Sequence, residues 1–164
     1  MANAKFTITR NDVSPALSKL AATARNPKNV LRSGGNVFKS ITEGNFNSAG
    51  AAFRPAAWPA KKDGSVRTLK KSGLLSHSFH LTVSDQAATV SNPTPYATVH
   101  QFGSGQVDAK RKAAAKKKGT TAHTMNIPAA PFFPVINGKL TPASEEKIGS
   151  AMKRQILRES GTQP

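Results

Sequence analysis

Residues 96–103 read Tyr-Ala-Thr-Val-His-Gln-Phe-Gly and residues 127–132 read Ile-Pro-Ala-Ala-Pro-Phe, and these two stretches carry the most specific information in the chain. In the first stretch every second residue shares a face, the pattern of a β-strand that Gly103 ends. The residues of its polar and aromatic face are Tyr96, Thr98, His100 and Phe102. Prolines at positions 128, 131 and 134 remove backbone donors, so we expect the second stretch at a sheet edge or in a loop.

Helix and strand signals on either side of these stretches predict an α+β fold. Ser14-Pro15 and Asn26-Pro27 each have the form of a helix start, and Thr141-Pro142 begins a C-terminal helix. Alternation over residues 79–90 predicts a β-hairpin, and residues 4–8 a further short strand. The expected architecture is a small curved antiparallel β-sheet flanked by two N-terminal helices and one C-terminal helix, with a long basic loop.

The length of 164 residues predicts a single domain spanning residues 1–164. Residues 104–122 are rich in lysine and alanine, bounded by glycine and without an apolar face, so we expect a basic mobile loop or arm. Short strands are expected at residues 124–127 and 132–136, on both sides of the proline motif. Residues 160–164 are expected to fray.

Positive charge dominates the composition: 24 Lys and Arg stand against 8 Asp and Glu, a net charge of +16. Such an excess suggests contact with a polyanion or with an acidic protein surface. The densest cluster holds six cations in nine residues, namely Lys110, Arg111, Lys112, Lys116, Lys117 and Lys118. Because no aromatic residue accompanies them, DNA contact here would involve phosphates only and would be independent of sequence and sensitive to salt.

Several classes of function lack their residues in this sequence. There is no cysteine for a disulfide or a thiolate zinc site, no apolar run long enough for a membrane span, and no apolar block of a secretory signal at the N-terminus. His77, His80, His100 and His123 have no paired carboxylates near them in sequence, and neither a Gly-x-Ser-x-Gly elbow nor a phosphate-binding glycine loop occurs. We therefore expect no catalytic or metal residue, no cofactor, no enzyme activity and no membrane partner.

Two features leave alternatives open. Gly34-Gly35 lies inside the second predicted helix and marks either close packing or a kink. Trp58 lies in an irregular, proline- and lysine-rich region, where it either anchors the loop to the body or inserts into a neighbouring subunit.

Five motifs occur in the order used by the virion morphogenesis family of tailed bacteriophages, which residues 40 to 160 resemble. The motifs are Trp58-Pro59; Leu69 with Ser72-Gly73-Leu74-Leu75 and Ser78; a hairpin; Tyr96-Ala97 with His100-Gln101-Phe102-Gly103; and Pro128-Ala129-Ala130-Pro131-Phe132. Ala130 departs from the pattern, because the family usually has arginine at this position, so the role of that arginine is not carried over to any residue here.

The resemblance implies a structural virion protein of the phage neck that completes or terminates the tail and joins it to the head. Its implied partners are further copies of itself in a ring, expected to be a hexamer, the tail tube protein and a head–tail connector, with genomic DNA as a further contact in the channel. It would be located in the virion, at the neck or tail top, and in the host cytoplasm during assembly. The family motif residues expected at the subunit interface are Trp58, Tyr96, His100, Gln101, Phe102, Gly103, Pro131 and Phe132.

Two other hypotheses come from different classes. A small basic protein that binds nucleic acid without sequence preference would use the cluster at residues 110–118 and would bind DNA as a monomer. A hydrolase using His100 is disfavoured by the lack of acidic residues near it in sequence.

Overall fold

The computed structural model describes residues 13–119 and 126–161, and it confirms the α+β class with helices at both ends. The elements in chain order are α1 (Val13–Arg25), α2 (Lys28–Gly44), a 3-10 helix (Ser48–Phe53), α3 (Leu74–His77), β1 (His80–Val83), β2 (Ala88–Ser91), α4 (Ala97–Phe102), α5 (Gly105–Lys118), β3 (Val135–Ile136), β4 (Lys139–Leu140) and α6 (Pro142–Ser160). The described strands form two separate antiparallel pairs, β1 with β2 and β3 with β4. The strand predicted at residues 4–8 and the end of the tail lie outside the described residues.

Helix α2 occupies the middle of the fold, where it packs against α6 and against the β1–β2 hairpin. Its two glycines make both contacts close. A Cβ at Gly34 would lie 2.9 Å from Sδ of Met152 on α6, and one at Gly35 would lie 2.6 Å from Cδ1 of Leu81 on β1. Because α2 runs unbroken from Lys28 to Gly44, the glycine pair serves close packing on two sides of one helix.

These two glycines should respond differently to alanine. At Gly35 the new methyl would also lie 3.0 Å from Cβ of Ala88, which is fixed to the β2 backbone, so Gly35→Ala should destabilise by about 1–3 kcal/mol. At Gly34 the obstacle is the flexible end of Met152, and the higher helix propensity of alanine, worth about 1 kcal/mol, should offset its displacement. Urea unfolding of both variants tests this, and equal losses would contradict it.

The two hairpins differ in how well the sequence predicts them. The β1–β2 hairpin is confirmed, with Leu81 opposite Val90, and residues 74–77 before it form the short helix α3. The β3–β4 hairpin turns at Asn137 and Gly138, which both have positive φ, at 50° and 78°. Asn-Gly is a strong signal for this type of turn. Of the strand predicted at residues 132–136, only Val135–Ile136 forms one. Of the strand predicted at residues 124–127, the described residues 126 and 127 belong to no strand, and 124 and 125 lie outside the described residues.

The strand predicted for residues 96–102 is wrong, because Ala97–Phe102 forms helix α4. A six-residue window fits both periods, and long-range contacts decide between them. In the helix Ala97 and Gln101 are four residues apart and face the interior together. Tyr96 and His100 are likewise brought together, with ring centroids 5.8 Å apart. The proposed face of four alternating residues therefore does not exist.

The prediction of a basic loop at residues 104–122 is also wrong, because Gly105–Lys118 forms the 14-residue helix α5. Its formation follows from composition, since alanine, lysine and arginine have the highest helix propensities. Gly119 ends it in the left-handed conformation with φ 62°, and three lysines in its last turn interact favourably with the helix dipole. Without an apolar face this segment lacks a surface that would pack against the rest of the protein, but it can still form a helix.

An aromatic core lies between the C-terminal end of α2, the hairpin and the proline motif. Phe46 and Phe79 each contact Phe132, with ring centroids 5.6 Å apart in both pairs. Leu75 and Ala97 complete the buried cluster. This core joins segments far apart in sequence and so fixes α4 against the segment that carries the second motif.

Candidate functional site

The segments at residues 96–103 and 127–132 contact each other directly. The backbone N–H of Ala130 donates to the carbonyl of His100 at 2.7 Å. Oε1 of the buried Gln101 accepts the backbone N–H groups of Phe132 at 2.9 Å and Phe133 at 3.0 Å. Helix α4 therefore supplies hydrogen-bond partners to a proline-rich segment that pairs with no strand in the described part of the chain, which explains why these motifs occur together.

Gly103 allows the chain to approach this segment closely. Its φ of 77° and ψ of 177° belong to a region open almost only to glycine. A Cβ here would lie 3.1 Å from the backbone nitrogen of Ala129 and 3.2 Å from the carbonyl oxygen of Ile127. The next residue, Ser104, then donates its N–H to the Ile127 carbonyl at 2.9 Å and accepts the Ile127 N–H on its hydroxyl at 3.2 Å.

Trp58 anchors its loop to the same segment. Its indole Nε1 donates to the carbonyl of Pro131 at 2.8 Å, and its ring meets Phe46 edge-on at 5.4 Å. The guanidinium of Arg54 lies 4.7 Å from the indole centroid, within range of a cation–π interaction. Of the two readings of Trp58, the loop anchor is the one observed within the chain.

Two residues that the sequence interpretation missed complete this arrangement. Nδ2 of Asn45 donates to the carbonyl of Phe132 at 2.9 Å, and Asn45 is fully buried. Its signal was available, because asparagine after Gly44 is typical of a helix end. Arg54 carried no sequence signal of its contact with Trp58. Ala130, which replaces the family arginine, is fully buried, so its methyl group faces the protein interior.

An apolar groove of about 660 Å³ lies beside this closed arrangement. Phe102 on α4 is 57% exposed and Ile136 on β3 is 45% exposed at its borders. Half-buried Phe38, Val90 and Phe133 are among the residues that line it. Large apolar side chains exposed together around a concavity are typical of a protein–protein contact.

His100 lies on the other side of the same helix in a partly desolvated position. Its Nδ1 is buried and has no hydrogen-bond partner among the residues that the structure describes. Burial lowers the pKa of His100 below its usual value of 6.5, and the charge of Arg67 lowers it further. Burial therefore favours the neutral form of the imidazole.

The lowered pKa of His100 predicts a loss of stability on acidification. The unfolded chain takes up this proton more readily than the folded one, so the contribution of His100 is complete above about pH 6.5 and decreases as the pH falls towards the folded pKa. The slope should not exceed about 1.4 kcal/mol per pH unit. Urea midpoints between about pH 7.5 and 5 should fall for the wild type and much less for His100→Asn.

The control for this titration is His80→Asn, at an exposed position on β1. It should keep the wild-type slope. A slope unchanged in His100→Asn would contradict the assignment.

The cationic cluster on α5 stands apart from the motifs. At about 100° per residue its six members fall all round the helix axis, and all six side chains are exposed. A helix with cations on every face can contact phosphates from several directions. It offers no apolar face that could pack against the rest of the protein.

The structure thus brings some predicted site residues together and leaves others outside. Trp58, Gln101, Gly103, Pro131 and Phe132 meet in the interior and at its border, where they satisfy contacts within the chain. Tyr96 and His100 pair on the opposite side of α4, and Phe102 is the exposed member. The interface role of the motif residues stays a prediction, and it concerns Phe102 above all.

Within residues 13–119 and 126–161, no group of three or more His, Asp or Glu side chains could hold a metal ion. In the same ranges no helix is long and apolar enough to cross a membrane. His77 and His80, the pair closest in sequence, lie on α3 and β1.

Comparison with known proteins agrees with the motif pattern. Residues 8–157 match the phage virion morphogenesis family, which is more than the range recognised from the motifs alone. Comparisons with curated proteins and with solved structures found no significant match. Because the match covers nearly the whole chain and includes every motif described above, this protein belongs to the phage virion morphogenesis family.

Proposed function

We propose that this protein is a structural component of the phage neck, where it completes or terminates the tail and joins it to the head as a subunit of an oligomeric ring. Family membership supports a role in virion assembly. The observation that carries the finer proposal is the apolar groove with Phe102 and Ile136 exposed at its borders. The motif contacts that shape this groove are all internal, so they present a defined surface to another subunit.

A ring accounts for this surface. In a head-to-tail ring each copy offers two different surfaces, and an apolar groove on one copy receives an element of the next. The tail tube protein and the head–tail connector would be the partners above and below the ring. The protein would act without catalysis or a cofactor.

The ring is tested by removing one exposed side chain. Phe102→Glu places a charge in the groove and should abolish assembly, while the monomer remains folded because position 102 is 57% exposed. Leu17→Glu is the matched control, since Leu17 on α1 is 59% exposed and does not line the groove. Native mass spectrometry should find multiples of the 17.3 kDa protomer for the wild type and the control, and monomer for Phe102→Glu.

The function itself is tested by complementation in an extract. Purified wild-type protein is added to a phage lysate made without it, and infectious particles are counted. The wild type and Leu17→Glu should restore infectivity, whereas Phe102→Glu should not. Equal restoration of infectivity by Phe102→Glu would contradict the role of the groove. This test applies even if the ring forms only on the tail.

A second candidate function, non-specific binding of nucleic acid, is favoured by α5. Its six cations are exposed around one helix, which suits contact with phosphates. DNA binding by the monomer should then weaken steeply with salt, and a triple glutamine variant at 116–118 should reduce the slope of log K against log salt by roughly 3. Negligible DNA binding by the monomer would contradict this second function.

A further inference from the structure

A second concave site lies on the His100 side of α4. This basic pocket has a volume of about 580 Å³ and shares no lining residue with the apolar groove. Its cations come from the irregular segment before α3 and are Lys61, Lys62, Arg67 and Lys71. Its described lining residues include no aspartate or glutamate, so the pocket concentrates positive charge.

The base of the basic pocket is apolar and aromatic. Leu75 is 2% exposed, and Leu69 packs against the aromatic core while its backbone has a φ of 54°. A bulky residue persists in this left-handed region only where its surroundings hold it there. Anchoring at Leu69 fixes the segment that carries Arg67 and Lys71, and the rings of Tyr96 and His100 close the pocket beside it.

The cations of the basic pocket are not compensated by ion pairs within the described part of the chain. None of its four cations forms an ion pair there. The carboxylate of Asp63 is the acidic group nearest in sequence, and its Oδ1 is already occupied by the N–H of Ser65 at 2.9 Å and the Ser65 hydroxyl at 2.6 Å. These hydrogen bonds, with a smaller effect of Lys61, lower the pKa of Asp63. An anionic ligand from outside would complete the pocket.

We propose that the basic pocket binds an acidic peptide segment of a partner protein, with carboxylates on the cations and an apolar side chain on Leu69 and Tyr96. A DNA duplex fits less well, because it presents phosphates on a convex surface and has no apolar group to cover this base. The exposed cations of α5 suit phosphates better. The basic pocket shares no lining residue with the apolar groove, so this proposal does not depend on ring formation.

Binding is measured by fluorescence anisotropy with a labelled peptide of alternating aspartate and leucine. The comparison probes are the same peptide with asparagine for aspartate, and a DNA duplex of about 20 base pairs. The acidic peptide should bind at least about tenfold more tightly than its amide counterpart, because the carboxylates carry the recognition.

Two double variants and one matched control locate the site. Arg67→Gln with Lys71→Gln should weaken peptide binding by about tenfold or more, and so should Lys61→Gln with Lys62→Gln. Both Lys61 and Lys62 are exposed, so their replacement should leave folding intact. The control, Lys153→Gln with Arg154→Gln, removes the same net charge from an exposed part of α6 and should bind like the wild type. In NMR spectra the His100 ring signal should move with peptide, while that of His80 should not.

Three results would overturn the proposal. Equal loss in the α6 control would show that net charge, and not the pocket, attracts the peptide. Equal affinity for the amide peptide would remove the role of the carboxylates. A loss of DNA binding in the pocket variants, with peptide binding unchanged, would make the site one for phosphates.

Discussion

Gln101→Leu is expected to be among the most destabilising substitutions in this protein, at about 2–6 kcal/mol. Leucine has nearly the same volume as glutamine but cannot accept the N–H groups of Phe132 and Phe133. Each buried donor left without a partner costs about 1–3 kcal/mol. The measurement is urea unfolding followed by circular dichroism at pH 7.5, where His100 is neutral.

The control for Gln101 is Gln86→Leu, at an exposed position in the β1–β2 turn. Its effect should stay within about 0.5 kcal/mol. If Gln101→Leu unfolded at the same urea concentration as this control, α4 and the proline-rich segment would not depend on the glutamine, and the central contact of the site would be disproved.

Phe132→Ala is expected to cost about 3–5 kcal/mol, because the ring is fully buried among aromatic neighbours and leaves a cavity when removed. The same change at Phe102, which is 57% exposed, should hardly alter the stability of the monomer. Thermal unfolding of the two variants separates the roles of the two phenylalanines.

The comparison has a second part in assembly. Phe102→Ala should weaken ring formation although the monomer remains stable, whereas Phe132→Ala should lose assembly only together with the fold. A stable monomer of Phe132→Ala would show that the aromatic core does not hold the two motifs together.

Local signals were sufficient for α1, α2 and α6, three of the six described α-helices, and for one hairpin. Pro15, Pro27 and Pro142 begin helices where they were expected, because a proline in the first turn lacks only a donor that is unused there. The turn at Asn137-Gly138 has an equally local signal, because Asn-Gly is typical of a tight hairpin turn. Residues 105–118 form a helix through the intrinsic propensity of their alanine, lysine and arginine residues, and the lack of an apolar face does not prevent it.

Other features depended on contacts that no local pattern contains. Residues 97–102 form a helix in which Gln101 reaches backbone donors 31 and 32 positions away. The basic pocket joins cations at 61–71 to Tyr96 and His100, and in the sequence these cations look like part of a diffuse excess of charge. The motif residues could be identified from the sequence as a set, but their internal roles follow only from the fold.

The internal roles change how the family motifs are interpreted. Gln101, Gly103 and Phe132 hold two segments of the same chain together, and Trp58 fixes a third segment to them. Near this arrangement Phe102 and Ile136 remain exposed for a partner. The motifs therefore shape the surfaces that we propose for assembly and leave the contact itself to neighbouring residues.

The most direct test of the proposed neck function is electron microscopy of a lysate from a phage in which this gene has been disabled. The account predicts DNA-filled heads lying beside separate tails, some of them irregular in length, and recovery of joined particles when the wild-type gene is supplied in trans. Intact, infectious particles in the disabled lysate would contradict it, and an absence of heads would place the protein at a different step of assembly.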